Sequence, residues 1–113
     1  MARFEAAAST APGRFVLALA GECDLEGRDR LSELLLDAVG RADLVVVDLT
    51  EVTFIDSSGI HALVTAHHAA RRAGKRLHVV NAAGVVATVL EITGVAQLLS
   101  PTPAPDAGEA DRG

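Results

Sequence analysis

Apolar positions along the chain follow two rhythms, one suited to strands and one to helices. Arg14-Phe15-Val16-Leu17-Ala18-Leu19-Ala20 is an apolar run of strand length. Leu44 to Leu49 is a second, apolar on both faces apart from Asp48, as a buried parallel strand requires. Leu77-His78-Val79-Val80-Asn81 predicts a third, shorter strand. Between these runs the period lengthens. Leu31, Leu34, Leu35, Ala38 and Val39 recur at i, i+3, i+4, i+7 and i+8, predicting a helix from about Glu26 to Val39 that stops at Gly40. Ser57 to Ala73 predicts a second helix, ended by Gly74. Ala83 to Ile92 predicts a third, with Asn81 or a neighbour as its cap and Gly94 just past its end.

The two ends are less regular. Arg3 to Ala8 has weak strand character, and Ser9-Thr10-Ala11-Pro12-Gly13 supplies a turn, so an antiparallel hairpin with the next strand is expected. Val95 to Leu99 predicts a last, short edge strand. The resulting order, β-β-α-β-α-β-α-β with helices as crossovers, defines an α/β fold. Its sheet is expected to be mixed and mostly parallel, with four to five strands and an antiparallel edge. From Ser100 onward Pro101, Pro103 and Pro105 alternate with small and acidic residues. The expected organisation is one domain over residues 1–100 and a disordered, Pro-rich acidic tail over 101–113.

Composition narrows the function classes. The net charge is −5, and Arg71, Arg72, Lys75 and Arg76 form the single basic run, which suits a helix end better than a nucleic-acid patch. Cys23 is the sole cysteine, so no intramolecular disulfide or cysteine-based zinc site can form. Glu22 and Asp24 flank it and should raise its thiol pKa, which favours a core role. No signal-like or membrane-spanning apolar stretch is present, and a cytoplasmic protein with no membrane partner is expected.

Candidate chemistry centres on Asp56-Ser57-Ser58-Gly59, placed between an apolar strand and a helix. Asp and Ser are helix-capping residues, and a cap alone would explain them. A helix start also offers free donors and a positive dipole end, which suits a phosphate or a phosphoserine. On the helix that follows, Ile60, Leu63, Val64 and Ala70 make an inward stripe. Ser58, His61, Thr65, His68 and Arg72 fall on the opposite face, polar but low in charge and dotted with Ala62, Ala66 and Ala69. That face suits docking.

Three chemistries fit less well. Ser57 and His61 could meet on one helix face, but there is no G-x-S-x-G elbow and no oxyanion partner. Asp48 ends a buried strand as a phospho-acceptor aspartate would. The first strand-to-helix turn nonetheless lacks an acid pair for Mg²⁺, and Lys75 is the only lysine. His67 and His68 point apart on a helix with no carboxylate at i±4, and no phosphate-binding glycine loop exists, so neither metal nor cofactor is implied.

Three blocks carry a family resemblance: Gly21-Glu22-Cys23-Asp24-Leu25, Val47-Asp48-Leu49-Thr50-Glu51-Val52, and Phe54-Ile55-Asp56-Ser57-Ser58-Gly59-Ile60. Together they resemble the STAS domain of bacterial anti-sigma factor antagonists, over about Phe4 to Leu99. The resemblance implies a small sheet with helices packed mainly on one face and the D-S-S-G turn exposed at one end. It implies a non-enzymatic protein that binds an anti-sigma factor serine kinase and frees a sigma factor. Phosphorylation of Ser57 would switch binding off, and a phosphoserine phosphatase would reset it. Asp24 matches a family acid beside that turn. Asp24, Asp56, Ser57, Ser58, Gly59, His61, Thr65 and His68 are the expected partner-binding residues, and a homodimer is compatible with the pattern. His61 stands where many relatives carry a small residue, usually Gly. The same fold also occurs as a structural subunit regulating a transporter ATPase, the alternative role; relatives of that kind more often have another residue at the Ser57 position.

Overall fold

The computed structural model describes residues 4–100; the expected tail over 101–113 lies outside them. The chain runs β1 (Glu5–Ala11), β2 (Arg14–Cys23), a short 3₁₀ turn (Leu25–Gly27), α1 (Arg28–Arg41), β3 (Leu44–Ile55), α2 (Ser57–Arg72), β4 (Arg76–Val80), α3 (Gly84–Ile92) and α4 (Val95–Leu98). The four strands form one mixed sheet in the order β1-β2-β3-β4. β1 and β2 pair antiparallel, whereas β2–β3 and β3–β4 pair parallel. This is the open, mostly parallel sheet with an antiparallel edge that the hydrophobic pattern predicts.

Alternation along the strands explains the layering. Phe15, Leu17, Leu19 and Cys23 of β2, with Val45, Val47 and Leu49 of β3, are buried, while Val16, Ala18, Val46 and Asp48 between them are half-buried. A strand with this period packs one face on a helix layer and leaves the other less covered. α1 supplies Leu31, Leu35, Ala38 and Val39 to the core, and α2 packs beside it with Ala62, Leu63, Ala66 and Ala70. Lys75 Nζ donates to the Val39 carbonyl at 2.7 Å, tying the end of α1 to the turn before β4. That contact gives part of the basic run a structural task.

Val95–Leu98 and the ends of β2 and β3 differ from expectation. Val95–Leu98 is a helical turn, not a fifth strand, and Gly94 enters it with φ 79°. The turn buries Val95 and Leu99 and brings the Leu99 carbonyl 2.8 Å from the Val79 N–H, so this segment reaches the outer edge of β4. β2 and β3 also run further than predicted. They stay paired to Cys23 and Ile55 through register shifts near Ala20 and Gly21, which carries both strand ends to the same rim.

Candidate functional site

Two acids sit side by side at the ends of the parallel strands β2 and β3. Each ends its strand in extended backbone and caps the helical turn that follows. Asp24 Oδ1 accepts from Glu26 N–H at 3.2 Å and Gly27 N–H at 3.4 Å. Asp56 Oδ1 accepts from Ser58 N–H at 2.9 Å and Gly59 N–H at 3.2 Å. The Asp56 N–H donates to the Cys23 carbonyl at 3.1 Å, fastening the two turns together. Each cap satisfies helix N–H groups that would otherwise lack a partner.

Asp56 therefore does the capping, and Ser57 does not. Ser57 is the first residue of α2, exposed, and its hydroxyl makes no hydrogen bond among the described residues. Ser58 is half-buried and Gly59 is buried. A Cβ at Gly59 would stand 2.5 Å from the Cys23 carbonyl oxygen and 2.9 Å from Ile55 Cγ1, so only glycine lets α2 start this close to β2. Gly59 shapes the turn from within. It offers a partner no surface.

Burial and charge act on Cys23 below the turn. Its thiol is pushed up to about 11, first by burial and then by the carboxylates of Asp24 and Asp56. A thiol so held is a core group, as its flanking acids suggest.

Along α2, His61, Thr65, His68 and Arg72 are exposed and continue the face that begins at Ser57. Ala62 and Ala66, which the sequence places among the docking residues, turn inward instead, because α2 is covered by α1 as well as by β4. The rim gains two apolar residues that periodicity does not mark: Leu25 is 63% exposed and Phe54 42% exposed. Their positions flank the two capping acids in sequence, which is the one signal that could have singled them out.

Asp48 is drawn into a small network away from Ser57. Its Oδ1 accepts from the Thr50 N–H at 2.9 Å, the Thr50 hydroxyl at 2.5 Å and Asn81 Nδ2 at 3.2 Å. These bonds, the Thr50 hydroxyl first, lower the carboxyl pKa. Asn81 adopts φ 63° to reach it, so it serves the end of β4, while α3 begins after Ala83 with no side-chain cap. Asp48 is thus a tether between strands. Among the described residues no three His, Cys, Asp or Glu side chains gather as metal ligands would, and no helix is long and apolar enough to cross a membrane.

A small open α/β sheet with a capped serine turn at its strand ends defines the fold class. The chain belongs to the STAS domain family: the family model described as "Mlab, STAS domain" matches residues 6–100. Solved structures share the fold. An anti-sigma factor antagonist from Mycobacterium paratuberculosis superposes with a TM-score of 0.79 at 20% identity, covering 89% of this chain and 88% of that one. The antagonist SpoIIAA in its unphosphorylated form gives 0.71 at 15% identity, over 96% of this chain and 89% of that one. A sulfate transporter family protein from Wolinella succinogenes gives 0.69 at 20% identity, over 81% and 75%. A search of curated proteins finds no match.

Proposed function

We propose that this STAS protein is an anti-sigma factor antagonist that switches partners by phosphorylation at Ser57. The observation that carries the reading is the division of labour at the turn. Asp56 saturates the Ser58 and Gly59 N–H groups, which leaves the Ser57 hydroxyl exposed and uncommitted. A kinase can reach it without unfolding the cap. In the transfer, Ser57 Oγ attacks the γ-phosphorus of ATP held by the kinase, ADP leaves, and a base on the kinase takes the hydroxyl proton.

The unphosphorylated rim offers Leu25 and Phe54 as apolar anchors around polar Ser57, with Asp24 and Asp56 beside it and His61, Thr65 and His68 along α2. Phosphate adds about −1.5 to −2 charges next to two carboxylates that are already there. At an interface this charge must be desolvated, and the partner lets go with little backbone change. In this reading the partner is an anti-sigma factor serine kinase, its capture frees a sigma factor, and a phosphoserine phosphatase restores the cycle in the cytoplasm. The protein itself is a substrate and a binder, not an enzyme.

The test is a pull-down of the cognate kinase by unphosphorylated protein, repeated after incubation with kinase and ATP. Binding should be lost on phosphorylation, Ser57→Ala should bind and stay bound, and Ser57→Asp should bind poorly. Phosphate found only on Ser58, or on no serine, would overturn the assignment.

A second reading keeps the fold and makes the domain a structural subunit on a transporter ATPase. The likeness to a sulfate transporter family protein and the apolar exposure on α3, where Val85 is 63% and Ile92 78% exposed, support it. It predicts stable co-purification with an ATPase that is indifferent to Ser57→Asp.

A further inference from the structure

We propose that His61 is the intramolecular counter-ion of phosphorylated Ser57, and that it holds the phosphate against the face of α2 in the released state. The inference rests on the reading of Ser57 as the phospho-acceptor and asks where its phosphate goes. The start of α2 cannot take it fully, because Asp56 already occupies the Ser58 and Gly59 N–H groups. The immediate neighbours, Asp56 and Asp24, carry the wrong sign. The first turn of α2 contains no basic residue.

Most of the cations are elsewhere or engaged. Arg71 and Arg72 lie at the far end of α2, roughly 20 Å along the axis at 1.5 Å per residue. Lys75 is bound to the Val39 carbonyl, and Arg41 pairs with Asp37 at 2.7 Å. Arg14 and Arg76 begin β2 and β4, at the opposite end of the parallel strands from Ser57. Arg28 of the first turn of α1 pairs with Asp29 at 3.4 Å. Among the described residues, His61 and Arg30 remain near the start of α2, while His68 lies roughly 16 Å from Ser57 along the same helix at 1.5 Å per residue.

His61 has the better position. It is four residues after Ser57 on one continuous helix, so the two side chains share a face with Cβ atoms about 5–6 Å apart. It is exposed and makes no hydrogen bond or ion pair among the described residues. A phosphate oxygen on Ser57 and an imidazolium N–H at position 61 can meet with no change in backbone, in a charge-assisted hydrogen bond. The other charged groups on the elements around the start of α2 are Asp56 and His68 of α2, Asp24, Glu26 of the 3₁₀ turn, and Arg28, Asp29 and Arg30 of α1.

Protein carrying phosphoserine encoded at position 57 tests this without any kinase. The readout is the ³¹P chemical shift of the phosphate from pH 5 to 8. The second ionisation should lie about 0.2–0.4 pH unit lower in the parent protein than in His61→Ala, the shift that an i, i+4 pair supplies. His61→Lys should restore it, and Arg30→Ala should leave it unchanged. Coincident titrations of the parent and His61→Ala proteins, or loss of the shift only in Arg30→Ala, would overturn the proposal. A kinase that ignores Ser57 would defeat the functional reading and leave this titration as it stands.

Discussion

Gly59 lies so near Cys23 that a side chain at position 59 would begin 2.5 Å from the Cys23 carbonyl oxygen. The same carbonyl accepts the Asp56 N–H at 3.1 Å, so one backbone oxygen fixes both the strand end and the first turn of α2. Exposure of Ser57 depends on this fit. The serine is held out because the residues on either side of it are held in.

Gly59→Ala should therefore destabilise the fold by about 1–3 kcal/mol, since the obstacle is backbone that cannot swing away. Gly40, near the end of α1, is the matched control. Nothing lies within 4 Å of a Cβ there, and Gly40→Ala should stabilise by about 0.5–1 kcal/mol. Urea unfolding of both variants checks the pair. Equal effects at the two positions would contradict the close-contact account.

Asp56 has two separable roles, cap and charge. Asp56→Ala loses the bonds to Ser58 and Gly59 and should cost about 1 kcal/mol in a urea melt. Asp56→Asn keeps an acceptor and should stay within a few tenths of the parent. If charge drives partner release, phosphoserine-57 protein carrying Asp56→Asn should retain more kinase binding than its Asp56 counterpart. Identical binding by the two would show that steric exclusion alone ejects the partner.

Asn81 also combines two features that substitutions can divide. It holds a left-handed backbone at φ 63° and donates to Asp48 at 3.2 Å. Asn81→Gly keeps the backbone and loses the bond, which should cost under about 1 kcal/mol at this exposed site. Asn81→Ala adds strain of about 1–2 kcal/mol for a Cβ in that region. Thermal melts should rank Asn81 above Gly and Gly above Ala. A reversed order of Gly and Ala would mean that backbone strain plays no part.

The elements that could be read from the sequence are those whose signals are local. Asp56 announces a cap because a carboxylate two and three residues before helix N–H groups can reach them, whatever surrounds it. The strand Leu44 to Leu49 shows itself by being apolar on both faces. Other features depend on distant partners. Val95 to Leu99 is too short to display a period, and its helical turn is set by the need to bring the Leu99 carbonyl to Val79. β3 continues past Thr50 because β2 continues beside it, which no property of Thr50-Glu51 foretells. Ala62 and Ala66 fit either face of a helix, and packing against both α1 and β4 decides for the interior.

His67 is another such residue, and it makes the fold sensitive to acid. It falls one turn after Leu63 and one before Ala70, on the buried side of α2, and is only 8% exposed. Neither ring nitrogen has a hydrogen-bond partner, and the Leu77 backbone compensates the charged form only at a geometry short of a hydrogen bond. Burial first, then the neighbouring charges of His68, Arg71 and His78, lower its pKa from the ordinary 6.5. The unfolded chain therefore takes up a proton before the folded one does. Stability from this site is complete above about pH 6.5 and declines as pH falls toward the folded value, below which no further loss occurs. Thermal melts from pH 8 to 5 should show Tm falling below about pH 6.5, and His67→Leu should flatten much of that fall. His78, also lowered by burial and by Arg76, contributes with the same sign. A His67→Leu profile that runs parallel to the parent would remove His67 as the source.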